Sequence, residues 1–466
     1  MSATAPRVAV VGGGIAGLAA ALRLVERAGP ESFRLFEASS RLGGKILTER
    51  RDGFVLEGGP DAILAAKPAG VGLCRALGLG ERLRESRPEF RRAYVRRRGR
   101  LHALPDGITG LVPSRLLPLV TTPALSLRGK LRAGLEPILP RRRENGDETI
   151  ARFVSRRFGR EVYDWLLEPL LGGIYAGDGA ELSLRATFPQ LAEMEKSSGS
   201  VLRAMVGRRP AGDTGGAPRG FVTLPRGLSE LVEAVASRLP ADRVRLEVPV
   251  RGLECAGEGW RVRLGDGSSF SATDVVVATP AHEAAPLVRD LDAALAEDLA
   301  AIRFVSTATV NLALDAGAVP RSFDGTGYVV PRAEGGPLVA VTWTTNKFEG
   351  RAPEGAVVLR CFLGRAGWEE VVGWEDERLL DLCREEIGAR FGIRAEPLLS
   401  RVMRWPKALP QYEIGHLDRV ERIERLASRH RGLHLVGHSY RGVGIPDCIA
   451  SAEGAVERIL ARSAAA

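Results

Sequence analysis

The chain has 466 residues, 45% hydrophobic and 26% charged, the balance of a globular protein of two or three domains. That balance excludes a disordered chain, a collagen-like repeat and a coiled coil. The net charge of +9 favours nucleic acid, an anionic membrane surface or an acidic substrate, although an Arg-dominated excess alone names none of them.

A membrane-spanning helix needs about 18 or more apolar residues. The candidate stretch, Leu116 to Leu127, lies between Arg115 and Arg128, is shorter than that, and contains prolines and threonines. Met1 to Val8 has no apolar signal core, so a cytoplasmic protein is expected. The five cysteines are odd in number and scattered, with no C-x-x-C pair, which points to a reducing compartment and away from disulfides or a thiolate zinc site.

In chain order, Arg7 to Val11 predicts a strand, Gly12 to Gly17 a turn and Leu18 to Ala28 a helix stopped by Gly29-Pro30. Phe33 to Phe36 predicts a second strand ending at Glu37. Residues 87–150 are rich in Arg and Pro, and 151–210 read as helical. Gly227 to Leu239 predicts an amphipathic helix, Val244 to Val250 a strand, and Trp260 to Ser271 a hairpin through Gly265-Asp266-Gly267. Asp274 to Ala278 predicts a buried strand, and residues 300–405 a run of strands with one long helix near 375–391. Leu433 to Gly437 predicts a last strand, followed by a glycine-rich turn and a helix to Leu460.

Gly12, Gly14 and Gly17 form G-x-G-x-x-G between a strand and a helix, with Gly13, Ile15 and Ala16 completing the turn. Gly12 permits the turn, Gly14 lets a diphosphate reach the backbone, and Gly17 lets helix and strand pack closely. The diphosphate then meets free N–H groups at the positive helix end, while Glu37, 20 residues after Gly17, suits a ribose diol. A second glycine-rich loop, Arg41-Leu42-Gly43-Gly44, and then Glu57-Gly58-Gly59-Pro60, suit a long cofactor with backbone contact along its length. Near the C-terminus, Pro446 is placed for the first turn of a helix whose positive end suits a group carrying negative charge.

These loops resemble those of the FAD family of amine oxidases, phytoene desaturases and porphyrinogen oxidases. Gly173-Ile174-Tyr175-Ala176-Gly177-Asp178, Leu182-Ser183, Ala186-Thr187-Phe188-Pro189, Leu101 to Pro105, Pro410-Gln411-Tyr412 and Tyr440 to Ile449 resemble its protoporphyrinogen/coproporphyrinogen oxidase branch from Val8 to about Leu460. Pro446 departs from the Asn expected before Asp447, and Lys45 occupies a variable position.

The resemblance implies an α/β chain. Its discontinuous Rossmann-like FAD domain would comprise 1–86, 220–296 and 405–466. An α+β substrate domain would comprise 87–115 and 297–404, and a helical insertion 116–219. It implies non-covalent FAD against Ala38, Arg41, Gly44 and Lys45, against Gly59, Pro60, Asp61 and Ala62, and against Val250, Trp405, His438, Val443, Gly444 and Ile445. It implies a porphyrinogen substrate near Arg91, Arg92, Gly173 and Tyr175. Hydride would pass to flavin N5, O2 would reoxidise the flavin to give H2O2, and three rounds would aromatise the ring. No catalytic side chain is demanded, because the chemistry is the cofactor's.

The Arg run 87–100 is open to three readings: a solvated face, a site for substrate carboxylates, or a membrane or nucleic-acid patch. Its two aromatics, Phe90 and Tyr94, are too few for base stacking, so no nucleic-acid partner is expected. If the run meets substrate, coproporphyrinogen III, with four propionates, should be oxidised at least as well as protoporphyrinogen IX, with two. The leucine-rich segment 111–131 reads as core or as a surface for peripheral contact with the inner face of the cell membrane. The next haem-pathway enzyme, a chelatase, is a further expected partner. His430, His434 and His438 recur every four residues, but Gly432 and a strand break any helix, so no metal is expected. A flavin amine oxidase and a non-catalytic flavin scaffold are the alternatives.

Overall fold

The computed structural model describes residues 7–90, 92–105, 108–109, 112–113, 122–142, 146–206, 220–320 and 323–465. A five-stranded parallel sheet is assembled from distant parts of the chain, in the order Val244–Arg245, Phe33–Phe36, Val8–Val11, Asp274–Val277, Leu433–Leu435. Val8 pairs with Phe33 on one side and Asp274 on the other. All four residues of Val8–Val11 are buried, as a central parallel strand covered on both faces requires. Helices Ile15–Ala28 and Ile445–Ala465 pack on one face. A meander of Val250–Ala256, Gly259–Leu264 and Ser269–Ala272 covers the other, with helices Ala281–Val288, Ala293–Ala300 and His416–Ser428.

The expected strand 244–250 is two strands. Glu247 takes φ +58°, and the Glu247 and Val248 N–H groups donate to the carbonyls of Ser39 and Glu37, so the chain passes beneath the Glu37 turn before the meander begins.

A second sheet has seven strands, in the order Leu399–Pro410, Phe304–Asp315, Ala356–Leu363, Leu338–Trp343, Gly325–Val329, Arg92–Arg97, Arg100–Ala103. The first of these runs through the expected boundary at 404/405. Helix Ala293–Ala300, divided by the expected boundary at 296/297, packs as a whole with the parallel-sheet unit because its apolar face meets Ala281–Val288 and His416–Ser428. Helix Asp376–Phe391 covers one face of the seven-stranded sheet through Tyr328, Trp343 and Ile387. The other face meets the glycine loops and a helical layer built from 122–142 and 146–206. In that layer Arg157 and Glu136 form a fully buried ion pair, and Glu136 also accepts from Ser200 and the Val201 N–H.

Candidate functional site

The parallel-sheet order reverses around Val8–Val11, and the carboxyl ends of three strands meet there. Ligands of such folds bind at this crevice. Gly12, at φ +103°, would place a Cβ 3.1 Å from Thr279 Cγ2, and Gly437 at the end of the last strand would place one 3.8 Å from Ala16 Cβ. A Cβ on Gly17 would sit 1.8 Å from the Gly12 carbonyl oxygen, so only glycine lets the first helix approach its strand. A Cβ on Gly14 would face open space, with the Gly44 Cα at 4.0 Å its only near neighbour. Gly43 donates to the Gly13 carbonyl at 2.8 Å, so the two glycine loops form the walls of one cradle. The first helix has neither a side-chain cap nor an acidic residue in its first turn, leaving its N–H groups for an anion.

Glu37 accepts from the Gly13 N–H at 2.6 Å, the Ser39 N–H at 2.8 Å and the Ser39 hydroxyl at 2.7 Å. A carboxylate has about four lone-pair sites, which leaves capacity for a sugar hydroxyl. The Arg41 guanidinium donates to the carbonyls of Leu42, Gly44 and Ile46, so it holds the second loop in shape. Ala38 lies between Glu37 and Ser39 in this turn, and Val250 opens the meander just beyond Val248, whose N–H reaches the Glu37 carbonyl.

Lys45, which follows the second glycine loop, meets His438, Nζ to Nε2 3.4 Å, and His438 Nε2 lies 3.2 Å from the Ala408 carbonyl oxygen. Burial pushes the Lys45 ammonium down to about 8 and His438 to about 3. His282 Nδ1 is buried nearby without a partner among the described residues, and its ring packs on Phe304.

Glu57 to Ala62 lies on the second sheet. Trp405 Nε1, Thr309 Oγ1 and an Arg360 Nη all donate to the Gly58 carbonyl, at 2.8, 3.0 and 2.9 Å. Asn311 donates to the Glu57 carbonyl at 3.2 Å. Burial opposes ionisation of Asp61, but Lys347 at 2.7 Å, with Arg360 and Arg351, outweighs it and holds the carboxyl below its usual range. A Cβ on Gly59 would lie 1.7 Å from the Lys45 carbonyl oxygen, which ties this loop to the second glycine loop and carries Pro60 with it. On the C-terminal side, Asp447 accepts from the Gly444 N–H at 3.1 Å and from Lys67 at 2.7 Å. Pro446 packs on Gly70, Ile445 is buried in the sheet core, and Val443 lies against the helical layer. The turn with Pro446 is therefore braced on both sides.

Residues 15–460 match the family described as flavin containing amine oxidoreductase. The chain belongs to that family. It is 36% identical to coproporphyrinogen III oxidase of Bacillus subtilis over 99% of both chains. It is 32% identical to human protoporphyrinogen oxidase, covering 97% of this chain and 98% of that one. A crystal structure from Exiguobacterium superposes with a TM-score of 0.86 at 34% identity, covering 98% of this chain and 99% of the other.

Flavin is thus the cofactor class of this flavin oxidoreductase, and the cradle fits it. The open space at Gly14, the uncapped helix and the acceptor capacity of Glu37 match a dinucleotide with a diphosphate and a ribose.

The expected substrate residues do not converge. Arg91 lies outside the described residues. Arg92 is exposed and paired with Asp324 at 2.7 Å, which also accepts from the Tyr94 hydroxyl. Arg92, Tyr94 and Arg96 alternate onto the sheet face covered by helix Asp376–Phe391, where Arg96 pairs with Glu386 at 2.8 Å. Arg360, Thr309 and Asn311 face the loops on the opposite side. Along the ladder Ala93–Gly327–Thr342–Arg360, three strand spacings separate the two edges, about 14 Å. Arg92 is therefore held in an exposed ion pair on the face away from the Gly58 loop. Tyr175 is only 5% exposed, packed against Phe188 and Tyr412, so it is a wall of the helical layer and not an open contact. Gly173, two residues earlier, has open space where a side chain would be.

Sequence reasoning missed Thr309, Asn311, Lys347 and Arg360. A signal existed for one: Arg360 is a cation between buried Leu359 and Cys361 inside an apolar strand. His430 and His434 go to Asp292 and Asp274, apart from His438.

Proposed function

We propose that this flavoprotein is a porphyrinogen oxidase of haem synthesis that holds FAD without a covalent bond. The carrying observation is 36% identity over 99% of both chains to a coproporphyrinogen III oxidase. The cradle supports FAD in particular, because a diphosphate and an adenosine ribose are what Gly14, the uncapped helix and Glu37 are built to meet. When bound, the flavin supplies hydride acceptance from the macrocycle and return of the electrons to O2. The chain's own residues bind and orient. Glu37 holds the ribose, the first helix and Lys45 face the diphosphate, and the Gly58–Ala62 loop is held by the second sheet.

We assign the FAD-binding unit to 7–86, 220–303 and 411–465, the substrate unit to 92–103 and 304–410, and the helical layer to 122–206. A second surface favours peripheral contact with an anionic bilayer. Leu127, Leu131, Leu135 and Ile138 are 73, 64, 48 and 73% exposed beside Arg128, Lys130 and Arg141. A chelatase that takes up the porphyrin completes the reading.

The assay is purified protein with coproporphyrinogen III or protoporphyrinogen IX, following porphyrin fluorescence and peroxide. Coproporphyrinogen III should be oxidised at least as well, with peroxide released. Oxidation of an amine with neither porphyrinogen consumed would replace this reading by the amine oxidase. Because Arg92 faces away from the loops, Arg92→Ala should alter neither substrate's KM.

A further inference from the structure

Three side chains from three strands of the second sheet converge on one carbonyl. Thr309, Arg360 and Trp405 all donate to the Gly58 oxygen, and Arg360 also donates to the Gly59 carbonyl. A carbonyl has two lone pairs, so the Gly58 oxygen is saturated. The same peptide unit carries the Gly59 N–H, for which no acceptor exists among the described residues. Donors on a carbonyl polarise its amide, and a polarised amide is a stronger donor through its N–H. A side chain is excluded at Gly59, where a Cβ would lie 1.7 Å from the Lys45 carbonyl oxygen, while at Gly58 a Cβ would press on the Met403 side chain. The peptide is fixed in place and bare.

The local charge adds to this. Arg360 is 2% exposed, its Nε has no partner, and burial lowers its pKa. Around it lie Arg351, Lys347, Glu57 and Asp61, with Glu230 acting on Arg351 from behind. The buried Arg360 guanidinium favours negative charge on whatever lies beside the Gly58–Gly59 peptide.

We propose that Arg360 is a positioning residue for flavin reduction. It polarises the Gly58–Gly59 peptide and aims the Gly59 N–H at an acceptor atom of the flavin ring. This rests on the flavoprotein reading but not on the identity of the substrate. The cation and the polarised N–H together stabilise the negative charge that a flavin ring gains on reduction. The second sheet, which carries the substrate side, thereby tunes the cofactor held by the first.

The test compares Arg360→Met, Arg360→Lys and Thr309→Val in the full chain. Bound-flavin midpoint potential and flavin dissociation constant are measured without porphyrinogen. Arg360→Met should lower the potential and raise the flavin dissociation constant a few-fold, because the Gly59 N–H loses the polarisation that the carbonyl donors give it. Arg360→Lys keeps the charge but loses one of the two carbonyls, and should lie between Met and wild type. Thr309→Val, which removes one donor and no charge, should shift the potential slightly in the same direction. If Arg360→Met does not fold, the other two variants decide. A lower melting temperature with unchanged potential and flavin affinity would make Arg360 a purely structural residue and overturn the inference. Wild type lacking flavin would overturn this inference and the proposed function together. A yellow wild type that oxidises no porphyrinogen would overturn only the substrate, and the three potentials would still decide this point.

Discussion

At the residue scale, two glycines of one motif separate folding from binding. The Cβ added by Gly17→Val would sit 1.8 Å from the Gly12 carbonyl oxygen, so the first helix cannot dock and the protein should be insoluble. Gly14→Val adds its side chain to the open cradle, where the nearest atom to its Cβ is Gly44 Cα at 4.0 Å. That variant should fold with the melting temperature of the flavin-free protein and be colourless. Full flavin content in Gly14→Val would show that the diphosphate lies elsewhere.

Lys45 provides a pH signature. Burial lowers its pKa to about 8, with Cys448 and Glu283 opposing, and His438 beside it stays neutral above about 3. His282 nearby is also held low by burial. A diphosphate in the cradle favours the ammonium form, so its bound-state pKa is higher than about 8 and flavin binding takes up a proton above that pH. Below it, Lys45 is already charged and affinity is flat. Above it, the flavin dissociation constant should rise by up to tenfold per pH unit. Titration calorimetry in two buffers of different ionisation enthalpy reads the proton directly. Lys45→Met should bind more weakly at pH 7 and lose the rise above pH 8. The same rise in Lys45→Met would exclude this residue.

At the element scale, the parallel sheet was legible because each strand carries its own pattern. Val8–Val11 and Asp274–Val277 are short, apolar and bounded by turns, and the glycine spacing sets the turn and helix after the first strand. The seven-stranded sheet was legible only as separate strands. Its order depends on pairings such as Gly325–Val329 with Arg92–Arg97, more than 200 residues apart, which no local periodicity encodes. The Arg run left three readings open for the same reason. Charge density in a sequence says nothing about partners, and Asp324, Glu386, Glu334 and Glu161 reach Arg92, Arg96 and Arg97 from elsewhere. The Gly58 anchor was invisible because its donors come from three strands, one residue each. Helix boundaries moved where a cap or turn outweighed propensity. The helix expected over 227–239 is Ser229–Ala236, because Gly227 at φ +87° closes a turn with Leu224.

At the scale of the whole molecule, the charge of +9 and the exposed leucines belong to one argument. Helix Leu127–Gly134 is inverted. Arg132 turns inward to donate to the carbonyls of Arg156 and Arg157, and Glu161 grips Ser126 at its cap. Leu127, Leu131 and Leu135, one turn apart, point to solvent with Ile138. Water is a costly neighbour for four large apolar side chains, each contributing about 1.5–3 kcal/mol when fully buried. No helix among the described residues is long and apolar enough to cross a membrane. An exposed apolar stripe on a basic helix is the pattern of interfacial contact that we propose for this face. Arg128, Lys130 and Arg141 flank the stripe, and each cation at an anionic surface adds about 1 kcal/mol. The protein should therefore sediment with phosphatidylglycerol-containing vesicles at low salt and much less with neutral phosphatidylcholine vesicles. Raising salt should weaken the first interaction, since screening at 1 M leaves a Debye length of about 3 Å. Leu131→Glu combined with Ile138→Glu should abolish sedimentation while the flavin spectrum stays unchanged, because neither side chain touches the cradle. Equal sedimentation with both vesicle types, or none with either, would remove the anionic bilayer as the partner of this face.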